Sequence, residues 1–173
     1  MVSSFSEDRV DGPVVSLVPF LPSHVPLYHV WMSNPSNLEL TGSEPVSLEE
    51  QEKVRLDWIH QSDRHIFIIE RAGAIVGDIG VVLMEEEGEE QDPVVTVEID
   101  VMVGEESARR GGIATAAVGM MKRWAAERMA AKRIVAKIKD HNTPSLSLFR
   151  KLGYSHEKPL PIFNEIHLTK ELK

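Results

Sequence analysis

Six residues, Arg109-Arg110-Gly111-Gly112-Ile113-Ala114, stand between an apolar β-type run over 94–103 and a helical pattern that begins near Ala114. A strand that feeds a Gly-rich turn and then a helix aims several backbone N–H groups at one point, where the helix dipole also favours negative charge. That arrangement seats a diphosphate, and the two arginines would add charge-assisted donors. The same residues would also serve as an ordinary connection with two solvated arginines, so context must decide. On the strand before the turn, Glu98 and Asp100 lie two apart and share one face. Two carboxylates buried there without partners would be costly, which predicts a polar pocket, and like-charge coupling would raise the pKa of one of them. Further on, Asn142-Thr143-Pro144-Ser145 supplies an Asx turn, a first-turn proline and a hydroxyl at the start of a short helix. Other chemistries find no support: the seven histidines lack metal-ligand spacing, cysteine is absent, and neither a G-x-S-x-G nor a P-loop lysine pattern occurs. Trp31, Trp58 and Trp124 sit on helical faces, where core packing is the ordinary role.

These groups must be held by elements that the patterning makes legible. A β-branched run over 14–18 stops at Pro19, and Ser23 caps a helix through Met32 that Asn34-Pro35 ends. Ser47-Leu48-Glu49-Glu50 is a capping box that opens a second helix, with Val54, Trp58 and Ile59 on one face. Runs over 65–70 and 75–84, joined at Arg71-Ala72-Gly73, read as a hairpin, and an acidic loop over 85–92 leads to the strand at 94–103. A helix over 114–131 and a strand over 134–138 complete a strand-helix-strand unit, which favours parallel pairing. The short helix from Asn142 ends at Gly153, and strands over 154–158 and 163–169 form a final hairpin. The order β-α-α-β-β-β-α-β-α-β-β predicts a mixed α/β (α+β) fold with one sheet and helices on both faces.

At 173 residues the chain suits a single domain over 1–173, with residues 1–12 as a tail. The absence of cysteine, of a signal-type or Arg-rich leader and of any membrane-length apolar run predicts a soluble cytoplasmic protein. The net charge of −8 hides a division. Residues 107–158 carry twelve basic side chains against Glu127, Asp140 and Glu157, or +9, which leaves −17 for the rest. A basic segment around the Gly-rich turn suits an anionic ligand, and the acidic remainder suits a cationic partner rather than nucleic acid.

The element order, with the glycine turn after the strand at 94–103, resembles the GNAT superfamily of acetyl-CoA-dependent N-acetyltransferases. Arg109-x-x-Gly112-x-Ala114 is similar to its R/Q-x-x-G-x-G/A pyrophosphate loop, and Asn142-x-x-Ser145-Leu146-x-Leu148-Phe149-x-Lys151-Leu152-Gly153-Tyr154 to its N-x-x-S-I…K-L-G-F block. The Asn-x-x-Ser form looks more like the branch of ribosomal-protein N-terminal acetyltransferases than the histone-type branch. A narrower similarity is to the eukaryotic N-acetyltransferase 9-like group, through His24-Val25-Pro26-x-Tyr28-His29-x-Trp31-Met32, Thr41-x-Ser43-Glu44-Pro45, residues 98–103 and Ala136-Lys137-Ile138.

The resemblance implies a GNAT acyl-CoA N-acyltransferase fold, with a central, mostly antiparallel mixed sheet flanked by helices. It also implies acetyl-CoA as co-substrate, no metal, and a protein or peptide amine as acceptor, with tubulin as the implied partner; membrane and nucleic acid are not. Acetyl-CoA would contact Val101, Met102 and Val103 through their backbone, then Arg109, Arg110, Gly111, Gly112, Ile113, Ala114 and Thr115, and finally Asn142 and Ser145. Glu98 stands where several members carry a general base, with Glu165 and Glu44 as the next carboxylates to consider. The position that holds a proton-donating tyrosine in many members is Phe149 here, so Ser145 becomes the implied acid and Tyr154 a further hydroxyl. Two other activities fit the same pattern: acetylation of a small cationic amine, and a non-catalytic acetyl-CoA-binding protein acting at microtubules. An α-amine near pKa ~8 needs little help to lose its proton, whereas a lysine near ~10.4 costs about 4 kcal/mol at cellular pH.

Overall fold

Alternating apolar residues build the centre of the molecule, which a computed structural model describes over residues 8–85 and 94–173. In chain order the elements are β1 (Val10–Asp11), β2 (Ser16–Pro19), α1 (Val25–Trp31), α2 (Pro35–Thr41), α3 (Leu48–His60), β3 (Arg64–Arg71), β4 (Ala74–Leu83), β5 (Thr96–Met102), α4 (Ile113–Arg128), β6 (Arg133–Lys139), α5 (Thr143–Lys151), β7 (His156–Leu160) and β8 (Glu165–Glu171). The strands form one sheet in the order β1-β2-β3-β4-β5-β6-β8-β7. All neighbours are antiparallel except β5 and β6, the parallel pair that α4 connects.

Period two sorts the sheet's side chains onto two faces. On one, Leu17, Phe67, Ile69, Ile79, Val97, Ile99, Ile134 and Ala136 meet the buried stripe of α4 (Ile113, Ala117, Val118, Met121, Trp124, Ala125) and Leu146 and Phe149 of α5. On the other, Val18, Ile66 and Ile68 pack against Val25, Tyr28 and Trp31 of α1, with Trp58 and Ile59 of α3 beside them. Each large side chain so buried contributes about 1.5–3 kcal/mol. Helices thus flank both faces, as the patterning predicts.

Two departures from the sequence reading lie near the N-terminus. Residues 1–7 of the expected tail fall outside the described residues, but Val10 and Asp11 pair with Leu17 and Ser16 as a two-rung edge strand. Asn34-Pro35 ends α1 and also starts α2: the Asn34 side chain accepts from the Ser36 N–H at 2.9 Å, with proline at the first helical position. Of the acidic loop expected over 85–92, only Glu85 lies within the described residues. Ser47 and Glu50 form the predicted capping box, and Gly153 follows α5 in the left-handed region.

Candidate active site

The seam between β5 and β6 closes for three rungs only, Thr96–Arg133, Val97–Ile134 and Glu98–Val135. Beyond Glu98, β5 stays paired to β4 as far as Asp78–Met102, and the Glu105 N–H still reaches the Val76 carbonyl at 3.0 Å. The last four residues of β5 therefore have no strand on their β6 side. Gly77 permits the close β4–β5 approach here, because the Met102 carbonyl lies in van der Waals overlap with where a Cβ on Gly77 would stand. That lets β5 lie close on β4 while β6 diverges.

A cavity of about 420 Å³ opens at this point. Val101, Met102 and Val103 line it from β5; Arg109, Arg110, Gly112, Ile113, Ala114 and Thr115 from the turn and the start of α4; and Asn142 and Ser145 from α5. The structure thus gathers every residue of the expected cofactor set except Gly111, which faces Arg71 on the β3–β4 hairpin instead. Gly112 takes φ 74°, and no side chain caps α4 there. The first intrahelical bond runs from the Ala116 N–H to the Gly112 carbonyl, so the donors of residues 113–115 precede the helical ladder, an arrangement that suits an anion.

The sequence reading missed one wall. Asn37, Leu40 and Thr41 of α2 border the cavity, as do Ala108, Pro144 and Leu148. This changes the reading of Arg109. Rather than projecting into solvent as a free phosphate clamp, its Nε donates to the Val103 carbonyl at 3.0 Å and its Nη2 to Asn37 Oδ1. Asn37 is buried and also donates to the Trp31 carbonyl at 3.0 Å. The Asn142 amide adds a 3.3 Å bond to the Leu40 carbonyl, while its Oδ1 accepts from the Ser145 N–H at 3.3 Å. Motif residues on both sides of the cavity therefore fasten α2 in place. Arg110, also at positive φ, is exposed at the cavity rim and keeps its side chain available to an anion.

The opposite face of β5 carries charge. Glu98 forms a 2.8 Å ion pair with Lys137 of β6, so the carboxylate expected as the base is held by a cation. Asp100, two residues past the last closed rung, is 51 % exposed, with Arg64 only as close as 4.0 Å. It sits opposite Gly80, where a Cβ would lie 3.2 Å from its Oδ1. Desolvation by the surrounding strands pushes the Asp100 carboxyl above the usual range; Arg64 opposes the shift and Glu98 adds to it. The carboxylate raised is thus Asp100. The other candidates lie elsewhere. Glu165 bonds Lys139 at 3.1 Å and His167 at 3.0 Å, and although burial works the other way these partners hold its carboxyl below its ordinary value. Glu44 is exposed on the outer side of α2, in a separate depression with Pro35, Leu38 and Pro45.

The hydroxyl inventory also narrows. Phe149 is buried against Tyr154, ring centroids 4.9 Å apart, and the Tyr154 hydroxyl is sealed in the core without a hydrogen-bond partner among the described residues. Ser145 lines the cavity. Among the described residues no group of three potential metal ligands occurs, and no helix is long and apolar enough to cross a membrane.

One buried acid escaped the sequence reading altogether. Asp78 of β4 accepts a long 3.5 Å bond from the Tyr28 hydroxyl, and its Oδ1 has no partner among the described residues. Desolvation, with Asp100 adding to it, drives its carboxyl well above the ordinary value. Between the unfolded and folded pKa values the folded chain keeps a proton that the unfolded chain has lost, so this group's stability contribution falls as pH rises. Asp78→Asn is accordingly expected to raise Tm by several degrees at about pH 8 and by much less at about pH 4. Parallel melting curves of the two proteins across that range check this; equal shifts at both ends would refute it.

Comparison with known proteins agrees with this geometry. Residues 15–155 match the acetyltransferase (GNAT) domain family. An N-acetyltransferase 9-like protein of Caenorhabditis elegans is 37 % identical over 154 residues, covering 80 % of this chain and 76 % of its own. The alpha/beta-tubulin-N-acetyltransferase 9 of Homo sapiens is 31 % identical over 170 residues, covering 91 % and 80 %. Among solved structures, Mycobacterium smegmatis RimJ in complex with CoA-disulfide superposes with a TM-score of 0.75 at 22 % identity, covering 95 % of this chain and 87 % of that one.

Proposed function

The chain belongs to the GNAT acetyltransferase family and is an acetyl-CoA-dependent N-acetyltransferase, and on that premise we propose that it acetylates a protein or peptide amine in the cytoplasm, by direct attack within a ternary complex. The observation that carries this reading is the half-open seam. One side of β5 faces a cavity that ends at an uncapped helix N-terminus, and the other carries the Glu98–Lys137 pair and the exposed Asp100. Acetyl-CoA supplies an activated acetyl group, and the residues present fit it. The N–H groups of residues 113–115 would hold its pyrophosphate, and the unpaired edge at 101–103 its pantetheine and acetyl oxygen. Asn142 is tied up in the α5 cap and the Leu40 bond, so its role is to shape the wall as much as to contact the arm. Ser145, which lines the cavity at the start of α5, offers a hydroxyl to a departing thiolate, whereas neither Phe149 nor the buried Tyr154 does. Without cysteine a covalent thioester on the enzyme is not open to the chain, which supports direct attack.

An N-terminal α-amine is the acceptor that suits this site best, because it is partly neutral at cellular pH and needs only a modest base. The names of the Drosophila, mouse and human relatives support tubulin as the protein that presents it. Acetyl-CoA turnover on peptides with free N-termini is expected to exceed turnover on the same sequences with blocked N-termini by about 100-fold or more, following the proton-removal cost of a lysine. Indifference to blocking would reassign the acceptor to a side chain, and preference for small cationic amines would exclude a protein substrate.

A further inference from the structure

Which group removes the ammonium proton follows from where the seam opens. Glu98 stands on the last closed rung, opposite Val135, and is committed to Lys137 at 2.8 Å. Asp100 stands past that rung, on the same face, one residue before the stretch 101–103 that lines the cavity. Gly80, directly across on β4, has no side chain to cover it, and its carboxylate fills that place. Half of the side chain remains exposed.

The geometry points to Asp100 as the general base for the acceptor amine, with Glu98 and Lys137 as a fixed pair beside it. This assignment rests on the proposed transfer to a peptide amine. In the step, the ammonium gives a proton to Asp100 and the freed lone pair forms the N–C bond. The thioester C–S bond breaks with its electron pair on sulfur, the second amine proton passes to that sulfur through Ser145 or solvent, and Asp100 releases its proton to water through its exposed half.

The surroundings bear on when Asp100 is ready. The groups that face it are Arg64 from β3, Asp78 from β4, Glu98 from its own strand and Tyr28 from α1; Lys137 and His167 lie further across the same face. Arg64 is a weak competitor, since its Nε bonds Gln61 at 3.1 Å and its guanidinium lies over Trp58 at 5.6 Å. Asp100 is thus held less tightly than Glu98, with Arg64 at 4.0 Å against Lys137 at 2.8 Å.

Asp100→Asn is nearly isosteric and tests this directly, with Glu98→Gln as the comparison. For a free-N-terminus peptide, Asp100→Asn is expected to lower kcat/KM about 100-fold at neutral pH and to move the acid limb of the pH profile up to the amine's own value. Rates should recover as pH passes the amine's own value near ~8, with acetyl-CoA affinity unchanged. Glu98→Gln should stay within about tenfold and keep the limb. An Asp100→Asn enzyme that binds acetyl-CoA normally and retains kcat/KM within threefold, its acid limb unmoved, would overturn the assignment; so would displacement of the limb in Glu98→Gln alone. Wild-type protein that turns over neither free nor blocked peptides would overturn the functional reading, and the Asp100 assignment with it.

Discussion

Gly112→Glu is expected to weaken acetyl-CoA binding at least about 100-fold, the loss of a few charge-assisted hydrogen bonds compounded by repulsion. Gly112 sits at φ 74° immediately before α4, and a Cβ placed there would meet nothing within 4 Å. Space is therefore not the obstacle. The glutamate would fold back onto the free N–H groups of residues 113–115 as an internal cap, or project its charge into the cavity, and either outcome removes the anion seat. Left-handed backbone costs a non-glycine residue about 1–2 kcal/mol, so the variant should melt a few degrees lower yet stay folded. Gly112→Ala carries the same strain without the charge and separates the two effects. Thermal-shift titration with acetyl-CoA reads both: wild type and Gly112→Ala should be stabilised by ligand, Gly112→Glu should not. A Kd within threefold of wild type in Gly112→Glu would place the pyrophosphate elsewhere.

Gly77→Ala is expected to cost about 3 kcal/mol or more, the penalty of overpacking against backbone that cannot turn aside. The added methyl would occupy the space of the Met102 carbonyl, with Val103 Cα 3.0 Å away. For a chain of this size that corresponds to a Tm lower by roughly 6–12 °C. Relief would require β5 to move off β4, which shifts the open edge at 101–103, so the surviving folded protein should also bind acetyl-CoA more weakly. Melting curves and titrations of the one variant check both. A Tm within about 2 °C of wild type would show that the close approach at Gly77 is slack.

Sequence and structure agree best where chemistry is local. The Gly-rich turn, the Asn142 cap and the capping box at Ser47 are each decided by neighbours a few residues away, and all stand where their residue types put them. What escaped was set at long range. Strand β1 exists only through two pairings with β2, and α2 joins the cavity only because Arg109 and Asn142 reach it from distant segments. Two signals were nevertheless present. Ala136-Lys137-Ile138-Lys139 alternates apolar with basic, so a parallel β6 can set Lys137 beside Glu98. Asp78, alone between Gly77 and Gly80 in an otherwise apolar run, announces a buried acid.

The three-rung seam has a mechanical consequence. Five strands on one side and three on the other form two leaves, bound together along Thr96–Arg133, Val97–Ile134 and Glu98–Val135 and then parting like a half-opened book. Residues 101–103 and the α4 turn belong to the larger leaf, Asn142 and Ser145 to the smaller, so whatever fills the gap braces one against the other. The width of the gap, and hence how far the acetyl carbon stands from an incoming nitrogen, is governed by the torsion of those rungs. The bond between Glu98 and Lys137 crosses from one leaf to the other at the last of them, where a binding on a spine would be stitched.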